Sequence, residues 1–235
     1  AAELQPKNAK IFFNLAYVNN EKGNTEKSEN YLKTSLELDE NYAEALHLLA
    51  QIYYKKGYAK LALSKFEKCI RLKLDYAEAY NNKGNAFSKL DQYHDAISNF
   101  NKAIEYRWDY VEAYNNRGIA LNELGQYQEA CVSFNKAIEL NPDNAEAYNF
   151  KGVVLSKLNK FEEAISSYNK AIEIKPNLPA AHNNRGDALK ELKRYEEAIS
   201  SFKKAIKFLP GFSGAHSNLG NIFKTLERYK EAVSQ

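Results

Sequence analysis

The sequence predicts an all-α fold assembled from repeated helix pairs, and three observations carry that prediction. The stretch from Val111 to Asn144, VEAYNNRGIALNELGQYQEACVSFNKAIELNPDN, returns as AEAYNFKGVVLSKLNKFEEAISSYNKAIEIKPNL at 145–178 and as AEAYNNKGNAFSKLDQYHDAISNFNKAIEYRWDY at 77–110. The period is 34 residues, held without insertions, and such a fixed period marks a repeat architecture. Each period contains two apolar runs at helical spacing, parted by two or three polar residues. Alternating strand patterns are absent.

Taking Ala145 as repeat position 1, the units are 9–42, 43–76, 77–110, 111–144, 145–178, 179–212 and a partial 213–235. Together they are expected to form a single array. Residues 1–8, AAELQPKN, match the end of a preceding unit, compare AIELNPDN at 137–144, and Gln235 falls inside an expected second helix. The array is therefore expected to continue beyond both ends, and Met is absent altogether.

Within a unit, the first helix carries one apolar face, as in Ala147, Tyr148, Gly152, Leu155 and Leu158. The second does the same through Phe161, Ala164, Ile165, Tyr168, Ala171 and Ile172. Between them, Gly23, Gly57 and Gly125 occupy position 15, where glycine supplies the left-handed conformation that ends a helix; Asn159 serves at smaller cost than most residues. Pro142, Pro176 and Pro210 stop the second helix. Where Pro is replaced by Glu40, Leu74 and Trp108, either that helix runs on or Tyr42, Tyr76 and Tyr110 close the turn by packing.

Small and aromatic residues recur with the period. Gly84, Gly118, Gly152, Gly186 and Gly220 stand in the middle of first helices, where glycine costs about 1 kcal/mol against Ala and so needs a packing reason. Ala96, Ala130, Ala164, Ala198 and Ala232 stand early in second helices, and small residues facing one another let backbones approach. Tyr80, Tyr114 and Tyr148, then Phe100, Phe134, Tyr168 and Phe202, are expected to fill the space between pairs. This pattern resembles the tetratricopeptide repeat, aromatic-x2-Leu-Gly-x2-Tyr…Ala-x3-Phe…Pro, over essentially the whole chain. The resemblance implies a right-handed superhelical α-solenoid, with first helices lining a concave groove and neighbours completing one core. Departures are Ala16 and Ala50 in place of Gly, Thr25, Ser28 and Ser35 in place of core residues, and Lys83, Arg117, Lys151 and Arg185 in place of Leu. The aliphatic stems of the last four can cover the core while their heads reach water or an acidic neighbour.

Composition removes several function classes. The 235 residues are 44% hydrophobic and 27% charged, too apolar for disorder. No apolar run approaches the roughly 20 residues of a membrane helix. The net charge of +3 comes from 33 basic and 30 acidic residues mixed along the chain, unlike the one-sided excess of a nucleic-acid binder. Cys69 and Cys131 form no disulfide framework and read as buried free thiols, which suits a reducing, cytoplasmic compartment. No cofactor loop, clustered metal ligands or catalytic constellation appears, so the chain reads as non-enzymatic. His182 and His216 take the aromatic slot of Tyr80 and Tyr114, His94 starts a second helix, and His47 lies in the groove.

The resemblance assigns the groove to first-helix positions 2, 5, 6, 9, 12 and 13. Position 6 supplies Asn82, Asn116, Asn184 and Asn218, position 5 supplies Asn81, Asn115, Asn149 and Asn183, and Asn85 stands at position 9. Helix propensity does not explain so many asparagines. A carboxamide both donates and accepts, which suits the amides of an extended peptide backbone. The columns are similar to the Asn ladder of the O-GlcNAc transferase repeats and the kinesin light chain. The alternative is that they bond neighbouring helices and serve repeat stacking. Leu48 and Phe150 interrupt the ladder as side-chain pockets or as drift. The family's clamp for C-terminal carboxylates of chaperone tails needs basic residues at positions 5, 2 and 6; none stands at 5 or 6, and Glu44, Glu78, Glu112 and Glu146 occupy position 2. These glutamates favour a basic ligand or simply stabilise the first turn. The reading is a protein-interaction module that holds an extended peptide segment in its groove. Two others are a substrate-presenting arm of a larger enzyme such as a glycosyltransferase, and a scaffold that self-associates through exposed repeat ends.

Overall fold

The computed structural model describes residues 8–234, with side chains as far as Glu227. The expected remnant at 1–7, the Ala232 position and Gln235 lie outside the described side chains. Thirteen helices and, among the described residues, no strand make the chain all-α. Two compact units organise it, Ala1–Ala120 and Leu121–Gln235.

The first unit holds α1 (Ala9–Glu21), α2 (Thr25–Leu38), α3 (Ala43–Lys55), α4 (Ala59–Leu72), α5 (Ala77–Ser88), α6 (Tyr93–Tyr106) and most of α7 (Val111–Glu123). The second holds α8 (Tyr127–Leu140), α9 (Ala145–Lys157), α10 (Phe161–Ile174), α11 (Pro179–Glu191), α12 (Tyr195–Phe208) and α13 (Ser213–Ser234). Each of the six complete repeats is thus a first and a second helix, as the period predicts.

The glycine column has a physical cause other than the one expected. At Gly84, Gly152 and Gly186 the nearest neighbour is the aromatic ring of the same unit. A Cβ at Gly84 would stand 2.5 Å from the Phe100 ring, one at Gly152 2.5 Å from Tyr168, and one at Gly186 2.5 Å from Phe202. The rings therefore pack inside these three helix pairs as well as along the core. Phe100, Phe202 and Tyr168 are at most 1% exposed. Burying such a ring contributes about 1.5–3 kcal/mol, which outweighs the helix penalty of the glycine. Leu32 takes the ring's place in the first repeat, where Ala16 fits beside it; in the second, Ala50 and Phe66 share one cluster. Ser28 and Ser35, buried where the repeat has core residues, donate to the Ala16 and Ala9 carbonyls at 2.8 and 2.7 Å.

The turn inside each unit is set by position 15. Gly23, Gly57 and Gly125 adopt φ of 77°, 88° and 73°, and Asp91, Asn159 and Lys193 adopt 58°, 58° and 60°. Lys193 is held there although a non-glycine residue loses about 1–2 kcal/mol in this region. The packing of α12 back onto α11, through the Gly186–Phe202 contact, supplies the compensation. In the seventh unit the expected turn is absent: α13 runs unbroken from Ser213 to Ser234. Its position 15 is Glu227, a good helix former with no preference for positive φ.

Second helices stop at the same place with or without Pro. α2, α4 and α6 end at Leu38, Leu72 and Tyr106, and the next residue turns extended, φ −144°, −138° and −142°. The helix does not run on; tyrosine closes the turn. Tyr42 packs on Phe13 with centroids 5.1 Å apart, Tyr76 on His47 at 4.7 Å, and Tyr110 beneath the Arg107 guanidinium at 3.4 Å. Cys69 is fully buried, and burial pushes its thiol up to about 12; Cys131, expected to be buried, is only half-buried. It stands beside the fully buried Ala130, at the margin of the core.

Candidate functional site: the asparagine ladder and its cleft

Positions 5 and 6 are neighbours on a first helix, yet their side chains have different surroundings. Three position-5 carboxamides are buried, with Asn81 0%, Asn149 8% and Asn183 8% exposed, and Asn115 is half-buried. Those at position 6, Asn82, Asn116, Asn184 and Asn218, are half-exposed. A hydrogen bond joins the two columns across units. Asn116 Nδ2 donates to Asn81 Oδ1 at 3.1 Å, Asn184 Nδ2 to Asn149 Oδ1 at 3.1 Å, and Asn218 Nδ2 to Asn183 Oδ1 at 3.3 Å. Each bond spans 35 residues, one more than the repeat.

His47 takes the acceptor's part in the same bond. Asn82 Nδ2 lies 2.9 Å from its Nε2, and Tyr76 Oη lies 3.1 Å from its Nδ1. A neutral ring satisfies both, accepting from Asn82 at Nε2 and donating to Tyr76 from Nδ1. Burial pushes this imidazole down to about 4, against the pull of Glu78 and Glu44. Asn115 Oδ1 is buried without a partner. Phe150 stacks on Phe134 at 5.9 Å, and Leu48 is 7% exposed within a core cluster. The two apolar interruptions are therefore packing residues. Asn85 is half-buried beside the ladder.

Carboxylates finish the network. Asn81 Nδ2 donates to Glu112 Oε1 at 3.1 Å. Asn183 and Asn218 both donate to Asp187 Oδ2, at 3.3 and 3.1 Å. Glu78 pairs with Arg107 at 2.7 Å, so this position-2 glutamate is engaged. Of the basic residues in the Leu slot, Lys83 reaches Glu67 at 3.3 Å, whereas Arg117 and Arg185 bond amide oxygens, Asn101 at 2.9 Å and Asn169 at 2.8 Å.

In the second unit a cleft of about 250 Å³ opens beside Asn184, lined by Val153, Ser156, Lys157, Phe161, Tyr168, Asn184, Asp187, Ala188 and Glu191. His182 and His216 fill their aromatic slots, their Nε2 atoms donating to the Pro176 and Pro210 carbonyls at 2.8 and 2.9 Å. Among the described residues no three or more His, Cys, Asp or Glu side chains are grouped as metal ligands, and no helix is long and apolar enough to cross a membrane.

Tetratricopeptide repeat models match residues 9–42 and 43–76, then 77–107, 111–144 and 179–212; a further tetratricopeptide model matches 133–166 and a TPR repeat model 152–193. The chain belongs to the tetratricopeptide repeat family. Solved structures agree on the helical-repeat fold. A chain of the APC/C hetero-tetramer Cut9–Hcn1 matches with TM-score 0.79 at 17% identity, over 94% of this chain and 43% of its own. This chain therefore spans less than half of that partner in the comparison. The type IV pilus biogenesis factor PilW matches with TM-score 0.81 at 18% identity, over 90% and 98% of the two chains. YrrB, described as a TPR protein with an unusual peptide-binding site, matches with TM-score 0.64 at 24% identity, over 79% and 96%. Likeness at such identity establishes the fold. No curated protein sequence matches.

Within this tetratricopeptide array, both columns named from sequence stand side by side, in different roles. Asn81, Asn149 and Asn183 are buried and accept; Asn116, Asn184 and Asn218 are half-exposed and donate. The cleft was not legible from sequence, because its nine lining residues come from three helices. Only Asn184 among them carried a signal.

Proposed function

We propose that this tetratricopeptide array is a protein-interaction module that holds an extended segment of a partner chain against the asparagine ladder. One observation carries the reading: Asn82, Asn116 and Asn184 each spend one N–H on the neighbouring unit while remaining half-exposed. That bond fixes the carboxamide's orientation, and its Oδ1 and second N–H take no part in it. A preorganised donor and acceptor, repeated from unit to unit, suit the amide groups of an extended backbone with little regard to its side chains. The similarity of the ladder to that of the O-GlcNAc transferase repeats supports the same reading, as does the description of YrrB as a peptide binder. Position-5 residues act here as positioning residues.

The test compares the two columns. Peptides of about 12 residues, roughly 40 Å when extended, are selected from a random display library on the intact chain and their affinities measured by fluorescence anisotropy. Asn116→Ala and Asn184→Ala should each weaken binding about tenfold or more, well below the unfolding temperature. Asn81→Ala and Asn149→Ala, which leave the contacting carboxamide in place, should weaken it less. Equal losses from both columns would return the ladder to repeat stacking alone.

A further inference from the structure

The cleft beside Asn184 differs chemically from the ladder around it. Its walls are apolar: Val153 from α9, Phe161 and Tyr168 from α10, Ala188 from α11. The polar atoms that line it are mostly acceptors or can accept. Asp187 and Glu191 are four residues apart on α11 and so share a face. Asn184 adds its Oδ1. Ser156 Oγ and Tyr168 Oη lie 3.3 Å apart, and either accepts when the other donates. Lys157 is the exposed cation of the lining, and Glu191 is exposed likewise, whereas Asp187 is half-buried. The inner charge is therefore negative.

A cation already visits this pair. Lys190 Nζ stands 3.2 Å from Asp187 Oδ1 and 3.7 Å from Glu191 Oε1. Asp187 also accepts from Asn183 and Asn218 through its other oxygen. Burial nonetheless holds the Asp187 carboxyl above its ordinary range, in spite of Lys190 and these carboxamides. Lys190 reaches this carboxylate from its own helix, not from within the cleft lining. At about 250 Å³ the space is smaller than the roughly 300–1,000 Å³ of small-molecule sites and suits one long side chain.

We propose that this cleft takes an arginine side chain of the bound segment, its stem on Val153 and Phe161 and its guanidinium on Asp187 and Asn184 Oδ1. Several convergent acceptors match a planar fork of five N–H donors better than the point charge of a lysine. The aliphatic stem covers the apolar wall, as long basic side chains do elsewhere. The inference rests on the groove reading above, because the arginine is delivered by a segment lying along the ladder.

The test uses a probe that does not need the rest of the groove. N-acetyl-arginine N-methylamide is titrated into the ¹⁵N-labelled chain, with the norleucine analogue as control. The arginine probe should shift the backbone amides of Val153, Asn184 and Ala188 in a saturable way, and the norleucine probe should not. Asp187→Asn should weaken the arginine probe about tenfold, as loss of a charge-assisted contact does. Lys190→Ala, which removes the competing cation, should tighten it severalfold, and it decides the matter even where Asp187→Asn folds poorly. Indistinguishable arginine and norleucine responses, or no tightening in Lys190→Ala, would overturn the proposal. Library peptides that bind along the ladder while the arginine probe stays silent sink this inference alone. The probe binding while no library peptide does sinks the groove reading and leaves an isolated arginine site.

Discussion

Asn184 donates from Nδ2 to Asn149 Oδ1 at 3.1 Å, from a half-exposed position on α11 to a buried one on α9. The same bond joins Asn116 to Asn81 on α7 and α5. Removing the donor leaves a buried oxygen unsatisfied, which costs about 1–3 kcal/mol. Asn116→Ala and Asn184→Ala should each lose that much in urea denaturation. Asn115 makes the contrast, since its Oδ1 is already buried without a partner. Asn115→Ala should cost clearly less than Asn81→Ala in the same experiment.

Repeat position 8 gives a second contrast, of opposite sign. Gly152→Ala forces a methyl to within 2.5 Å of the Tyr168 ring and should destabilise by about 1–3 kcal/mol despite better helix propensity. Gly220→Ala meets nothing within 4 Å and should stabilise by up to about 1 kcal/mol. Thermal unfolding of the two variants reads both signs.

Lys193 holds φ of 60° at a position where three other units carry glycine. Lys193→Gly should relieve the strain and raise stability by about 1 kcal/mol, net of the glycine's extra freedom in the unfolded chain. Gly57→Ala, at φ of 88°, should lower stability by a similar amount. Calorimetric melting of each single variant checks both.

His47 predicts a pH dependence. Its folded value is about 4 against an ordinary 6.5, so the unfolded chain binds the extra proton first as pH falls. The stability it contributes is complete above about pH 6.5 and drains away between there and pH 4, a loss of about 3 kcal/mol by linkage. His47→Asn restores the position-5 residue of the later repeats and keeps an acceptor for Asn82. That variant should flatten the slope of unfolding free energy over this window, even if the smaller side chain lowers stability at neutral pH.

Much of this was legible in the sequence because a repeat multiplies weak signals. Gly84, Gly152 and Gly186 recur with Phe100, Tyr168 and Phe202, and the period alone places them in facing helices. Periodicity does not say which residues face; Gly84, Gly152 and Gly186 meet rings, where the period alone suggests small residues. It also hid the ladder's construction. The bonded pairs lie 35 residues apart, one step off the repeat, and columns compared at 34 never set donor against acceptor. Lys193 and Glu227 occupy one repeat position, yet only the first turns. Packing of the following helix decides that, and packing is a property of neighbours in space. Tyr42, Tyr76 and Tyr110 were readable as substitutes for Pro because they keep their register beside the missing residue.

The one-residue excess in the ladder's span has a consequence for how such a chain lengthens. Units 77–110 and 179–212 each carry an acceptor for the unit that follows and a donor to the unit before, so a copy of either arrives with both halves of the joint. A further copy of such a unit can follow it and the seam between the two closes. A single substitution behaves differently: Asn116→Ala or Asn184→Ala leaves Asn81 or Asn149 holding half a joint. A copied unit of this kind keeps the network whole, and a single changed asparagine breaks one of its joints.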